Sequence, residues 1–189
     1  MSKLNVVVVS GNLGSPSKTL VLAEQILAEL ELLTPIKSTI FQLAEWAAIF
    51  GPARHPGELN DEARKVLQTI ASADLLIAVS PVYKGSYTGA FKHLIDFIDP
   101  NALVGVPVIL AATGGGYKHA LVIEHQLRPL FAFFGANALP VGIYAAEQDY
   151  DGQRFAEPVV LERISAAAKQ AVDAAQTRIH SLQTTQKIA

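Results

Sequence analysis

Residues 4–19 read LNVVVVSGNLGSPSKT, an apolar run that stops at a glycine-punctuated, hydroxyl-rich loop and then passes straight into a helical pattern. Apart from Asn5, the run Leu4–Val9 is continuously apolar rather than alternating. Extended to Ser10, it predicts a strand covered on both faces, as in a parallel sheet. The loop from Ser10 to Thr19 then brings the hydroxyls of Ser15, Ser17 and Thr19, and one cation, Lys18, to the start of the helix. Helix N-termini present unpaired N–H groups and a partial positive charge, so a phosphate dianion is favoured there. The same residues also suit an ordinary Ser/Thr-capped helix start. No G-x-G-x-x-G is present, and Gly11 and Gly14 are not followed by G-K-[ST], so the loop is neither a dinucleotide fingerprint nor a P-loop.

Ser80 to Gly89 (SPVYKGSYTG) repeats the arrangement after the buried run Leu75–Val79. In an open parallel sheet, ligands settle beyond the carboxyl ends of the strands, where neighbouring crossovers leave in opposite directions. Two such loops facing one crevice point to a mononucleotide site. Tyr83 and Tyr87 lie four apart across Gly85, and Tyr83 is the better candidate for stacking on a ligand, the alternative being a tyrosine that caps the core. Lys84 is either a solvated loop cation or a partner for a ligand oxygen or phosphate. A third loop carries Gly114, Gly115 and Gly116, which let backbone N–H groups approach a planar ligand without Cβ collisions. A plain β-to-α turn is its alternative reading.

Outward from these loops, apolar spacing predicts helices at Thr19–Leu33, Asn60–Ala71, Thr88–Ile98, Lys118–Phe134 and Pro158–Leu182. Strands are expected at Leu4–Ser10, Lys37–Leu43, Ala73–Ser80, Val106–Ala112 and Asn137–Tyr144. Five strands alternating with five helices predict an α/β, doubly wound, five-stranded parallel sheet in the order 2-1-3-4-5, with helices on both faces. Ala44–Leu59, with two prolines and two glycines, reads as a long irregular loop or a subunit contact. There is no repeat and no internal linker, so residues 1–189 are expected to form one domain.

Half of the 189 residues are apolar and only 17% are charged, which predicts a compact globule rather than a disordered chain. A formal charge of −2 offers no broad basic face for nucleic acid and no polybasic membrane signal. Cysteine is absent, which removes thiol nucleophiles, Fe–S clusters and CxxC pairs, so redox chemistry must come from a bound cofactor. No apolar run approaches the roughly 20 residues of a membrane helix, and MSKLNVVVVSG lacks the pattern of a signal peptide, so a cytoplasmic protein is expected. The five histidines (His55, His93, His119, His125 and His180) show no metal-site spacing. No G-x-S-x-G elbow supports hydrolysis, and the third strand ends in Ser80-Pro81 where a phosphoacceptor regulator needs an aspartate.

Taken together, SGNLGSPSKT, SPVYKGSYTGAFKHLIDF and ATGGGYKHALVIEHQLRPLF resemble the NAD(P)H-dependent FMN reductase family of flavodoxin-like proteins, from Lys3 to about Leu139. Within that family the resemblance is to reductases that supply reduced FMN to two-component alkanesulfonate and methanesulfonate monooxygenases. The resemblance implies that Ser10, Ser17, Lys18 and Thr19 hold the FMN phosphate. Pro81, Val82, Tyr83, Lys84 and Ser86 would border the isoalloxazine, and Thr113 to Gly116 would approach its pyrimidine edge through the backbone. His119 is expected either near that edge or in a structural role. The alkanesulfonate-type reductase has a tyrosine at an inserted, π-helical position where this chain has His125. A locally wide helical turn at a subunit interface is therefore expected there, in a homodimer or homotetramer.

The implied activity is hydride transfer from NAD(P)H to FMN, which needs positioning rather than a protein acid or base, so no catalytic residue is assigned. Two alternatives are a quinone or azo reductase that keeps its FMN, and a flavodoxin-type electron carrier. Such carriers are usually strongly acidic, and −2 is weak support for that class.

Overall fold

A computed structural model of the chain describes residues 3–188. The apolar run at the N-terminus forms β1 (Leu4–Ser10), with Val6 to Val9 wholly buried. β2 (Ile36–Gln42), β3 (Leu75–Pro81) and β4 (Pro107–Gly114) follow in parallel. The strand expected at Asn137–Tyr144 is split into β5 (Asn137–Ala138) and β6 (Ile143–Ala146), both paired parallel to β4. The sheet order is therefore the expected 2-1-3-4-5, with the fifth position occupied by two pieces.

The break has an identifiable cause. Pro140 has no N–H to give to the ladder, so pairing stops there and leaves carbonyls and an amide to be satisfied elsewhere. The Arg128 guanidinium donates to the carbonyls of Ala138 (3.1 Å), Leu139 (2.9 Å) and Pro140 (3.3 Å). Arg163 donates to the Gly142 carbonyl, and Gln170 accepts from the Val141 amide. Glu124 holds Arg128 in place through two of its own hydrogen bonds, and this pairing keeps the Glu124 carboxyl below its usual range.

Strand alternation sends Val7, Val9, Leu76, Ala78, Val108 and Leu110 to one face of the sheet. That face is covered by α2 (Leu43–Phe50), α3 (Asp61–Ala71), α4 (Gly89–Ile95) and α5 (Arg128–Phe133). The other face takes Val6, Val8, Leu75, Ile77, Val79 and Ile109, beneath α1 (Lys18–Leu33) and α6 (Pro158–Ile188). On α6 the buried alanines Ala167, Ala168, Ala171 and Ala175 form a small-residue stripe that lets it lie close to the sheet and to α1.

Three expectations need correction. The stretch 44–59 is not irregular throughout, because residues 43–50 form α2, with Leu43 and Phe50 buried, and Pro56–Glu58 adds a 3₁₀ turn. Both prolines and both glycines of that stretch lie after the helix, where they leave its formation undisturbed. The helix expected over 118–134 is three pieces: a 3₁₀ turn at Tyr117–His119, a π-helical turn at Ile123–Leu127, and α5. The wide turn expected at His125 is thus present, and Arg128 donates its amide to the Ile123 carbonyl five residues back. The helix expected over 88–98 is shorter, with Thr88 serving as its N-cap rather than its first residue. No helix among the described residues is long and apolar enough to cross a membrane.

Candidate functional site

β1, β3, β4 and β6 all end on one edge of the sheet, and the loops beyond them enclose a cleft of about 540 Å³. Crossovers diverge between β1 and β3, which leaves that edge open. Of the residues singled out in the sequence, Ser15, Ser17, Lys18 and Thr19 line one side of this cleft. Pro81, Val82 and Tyr83 line a second side, and Thr113, Gly114 and Gly115 a third. Ser10, Lys84, Ser86, Gly116 and His119 stand outside the lining.

At the α1 end the polar side chains are engaged with one another. Ser10 is buried and donates to Asn12 Oδ1 at 2.7 Å, while Asn12 Nδ2 donates to the Gly14 carbonyl (3.1 Å) and to Gln42 Oε1 (3.3 Å). Ser10 therefore shapes the loop from below. Ser17 is the N-cap of α1 and accepts from the Leu20 amide at 3.2 Å, leaving its hydroxyl proton free for a ligand. The hydroxyls of Thr19 and Thr113 lie 2.6 Å apart, tying the first turn of α1 to the end of β4 in the cleft floor. Lys18 Nζ meets Glu147 Oε1 at 2.5 Å and lies 5.3 Å from the centre of the Tyr150 ring. Hydrogen bonding from that ammonium holds the Glu147 carboxyl below its usual range.

At the opposite end the arrangement is of backbone. The Val82 amide donates to the Thr113 carbonyl at 2.7 Å, and Tyr83 and Ser86 close a tight turn by exchanging backbone hydrogen bonds. Its central residues, Lys84 and Gly85, have φ of 53° and 87°, the left-handed pair of a type I′ turn. Lys84 is thereby carried to an exposed tip, and Ser86 turns away to donate to Gln126 Oε1. Tyr83 remains 53% exposed against the cleft.

The glycine corner is braced from behind. Tyr144 donates to the Gly116 carbonyl at 2.6 Å, and a Cβ on Gly114 would collide with that same tyrosine hydroxyl. Asp149, itself buried, accepts from the Ala146 amide at 2.7 Å and from the Tyr117 hydroxyl. The Asp149 hydrogen bond raises the Tyr117 phenol above its ordinary value, and burial raises Tyr144. By contrast, a Cβ on Gly115 would meet nothing within 4 Å, so packing within the chain does not demand a glycine there. Its missing side chain instead leaves the cleft open above exposed backbone.

Sequence reasoning missed Asn12, Glu147 and Phe155, all of which line the cleft. Asn12 sits inside the quoted loop and was legible as a turn-former. Glu147 and Phe155 arrive from beyond β6, where no motif marked them. Phe155 is fixed by Gln25, which accepts from its amide and donates to its carbonyl, both at 2.9 Å. His125 is exposed on the π-helical turn, and His119 ends the 3₁₀ turn after the glycine corner. No group of three metal-ligating side chains occurs among the described residues.

The profile of the NADPH-dependent FMN reductase family matches residues 4–151. The chain is 49% identical over 170 residues to an FMN reductase (NADPH) of Pseudomonas aeruginosa, covering 90% of this chain and 91% of that one. It is also 49% identical over 168 residues to the NADH-dependent FMN reductase SfnF of Pseudomonas fluorescens, covering 89% and 90%. Among solved structures, an oxidoreductase from Corynebacterium diphtheriae superposes with a TM-score of 0.82 at 29% identity, over 93% of this chain and 98% of that one. An NADH:FMN oxidoreductase, EmoB, in its apo form superposes with a TM-score of 0.79 at 25% identity, over 89% and 88%.

Proposed function

The chain belongs to the NADPH-dependent FMN reductase family, and on that premise we propose that it reduces FMN with NAD(P)H in the cleft at the carboxyl edge of its sheet and passes the reduced flavin to a separate flavin-dependent monooxygenase of sulfonate sulfur assimilation. The residues fit the group. A phosphate needs hydrogen-bond donors and positive charge, which the N-terminus of α1, Ser15, Ser17 and Lys18 offer together. A flat ring needs an open wall of backbone, which Gly115 supplies without any packing reason of its own to be glycine. When bound, FMN supplies the isoalloxazine that accepts a hydride from the nicotinamide.

The chain's own work is positional. Ser17 and Lys18 would hold the anionic end, Pro81 to Tyr83 would bound the ring, and the backbone of Thr113 to Gly115 would border the edge on which negative charge develops. Thr19 acts from below by fixing α1 to β4. Ser10 acts through Asn12, and Gly116 through its Tyr144 hydrogen bond.

The observation that carries this reading is the convergence of all three sequence-marked loops on one cleft. Delivery to a monooxygenase is supported by the resemblance to sulfonate-system reductases. The 49% identity to FMN reductases along about nine-tenths of the chain favours a reductase of FMN over an electron carrier or a quinone or azo reductase. Exposed Leu121 and Phe133, on either side of the π-helical turn, support a homodimer or homotetramer formed through the face that carries His125.

Stopped-flow mixing with FMN and each nicotinamide donor tests the proposal. NAD(P)H oxidation should depend strictly on added FMN, and reduced flavin should appear free in solution. Turnover without added flavin, with FMN that cannot be removed by gel filtration, would overturn the delivery role. Light scattering at micromolar concentration tests the assembly, and a monodisperse monomer would exclude it.

A further inference from the structure

We propose that Glu147 is a built-in competitor for the anion end of the cleft, holding Lys18 when no phosphate is present and weakening flavin retention when one arrives. The inference rests on the reading that FMN lies with its phosphate at the start of α1. Among the residues that line the cleft, Lys18 is the only lysine or arginine and Glu147 the only carboxylate. They meet at 2.5 Å. The cleft's formal charges therefore cancel before a ligand enters, which is a poor arrangement for tight capture of a dianion.

Both partners are fixed at their backbones. Lys18 is the first residue of α1, immediately after its N-cap. Glu147 follows the end of β6 and opens a 3₁₀ turn, where Asp149 accepts from the Ala146 amide and the Tyr150 amide donates to the Glu147 carbonyl. The turn is held again from its far side, where the Ala156 amide donates to the Asp149 carbonyl. Only the side chains are free to exchange partners, and they remain accessible, at 41% exposure for Lys18 and 66% for Glu147.

An exposed ion pair of this kind is weak, so Glu147 delays the phosphate without blocking it. A phosphate that takes the Lys18 protons must displace a carboxylate and then sit beside it, like charge against like. Apparent affinity falls by the fraction of molecules in which Lys18 is free, and further by the residual repulsion. A reductase whose product must depart gains from such a device, because the same carboxylate reoccupies Lys18 as the flavin leaves.

Dissociation constants for FMN and for riboflavin, which lacks the phosphate, measured by flavin fluorescence quenching on the full chain, separate the possibilities. Glu147→Gln keeps the side chain's size and should tighten FMN roughly three- to tenfold while leaving riboflavin unchanged. FMN dissociation measured by stopped flow should slow by the same factor. In a Lys18→Met background, the gain from Glu147→Gln should shrink, because only the repulsion is then relieved. Unchanged or weaker FMN binding by Glu147→Gln overturns the inference, as does equal tightening of riboflavin. If Lys18→Met weakens FMN but Glu147→Gln is inert, the inference alone fails. If Lys18→Met leaves FMN affinity untouched, the phosphate lies elsewhere and the underlying reading fails with it.

Discussion

At the α1 end of the cleft Ser17, Lys18 and Thr19 are side chains already engaged within the chain, whereas at the glycine corner the polar groups are backbone groups held open by side chains behind them. Ser17 caps a helix, Thr19 holds Thr113, and Lys18 holds Glu147, so a ligand arriving there must compete for Lys18. Tyr144 and Asp149, by contrast, do not line the cleft and keep the Gly114–Gly116 turn in shape from outside it. The difference teaches that one site can combine an adjustable grip with a rigid template. Specificity for a flat ring needs preorganisation, while release of a charged tail needs contacts that are individually weak.

The largest effect that sharpens this contrast is expected from Ser17→Ala combined with Lys18→Ala. Loss of two charge-assisted hydrogen bonds should weaken FMN binding by about 3 kcal/mol, read by fluorescence titration. Unchanged affinity would show that the α1 end is not the anionic end. Next comes Gly114→Ala, whose new Cβ collides with the Tyr144 hydroxyl and should destabilise the fold by about 1–3 kcal/mol in urea unfolding. Adding Tyr144→Phe removes the colliding atom, so the double variant should recover part of the loss. A fully additive pair would break the claim that Tyr144 braces the corner.

A smaller effect is expected where the two ends are joined. Thr19→Val or Thr113→Val alone leaves a buried hydroxyl without its partner and should cost about 1 kcal/mol, while the double variant should cost less than the sum. The smallest effects concern pH, and the two ends respond in opposite directions. Glu147 has a depressed folded value, so its contribution is present above the ordinary carboxylate range and is lost as pH falls through that depressed value. Tyr144 has a raised folded value, so its contribution is present below the ordinary phenol range and is lost as pH rises through the raised one. Melting temperatures of Glu147→Gln and the parent should therefore converge in acid, and those of Tyr144→Phe and the parent should converge in alkali. Because Glu147 is largely solvent-exposed, its difference should be barely resolvable even at neutral pH.

Much of this architecture is readable along the chain because its physics is local. The boundaries of β1 follow from an apolar run, interrupted only by Asn5, that ends at a turn, and the N-cap of α1 from a serine before a helical pattern. α2 was hidden because its eight residues are short and the prolines and glycines just after it suggested irregularity across the whole stretch. The split of the fifth strand was marked by Pro140 but masked by the apolar residues on either side of it. Within the site, the hydroxyl loop and the glycine corner were evident from composition. Asn12 was overlooked in plain sight, and Glu147 carried no local sign of its role.

The linear order of residues determined by itself which segments would be buried strands, and that polar, glycine-punctuated loops would follow three of them, because burial pattern, helix capping and glycine content are properties of neighbours in the chain. Only the tertiary structure decided which of those residues line the cleft and which hold others in place. Lys18 and Glu147 are 129 positions apart, and Thr19 and Thr113 are 94 apart. Whether such groups meet depends on strand register and on where the segment after β6 returns, which no local signal encodes.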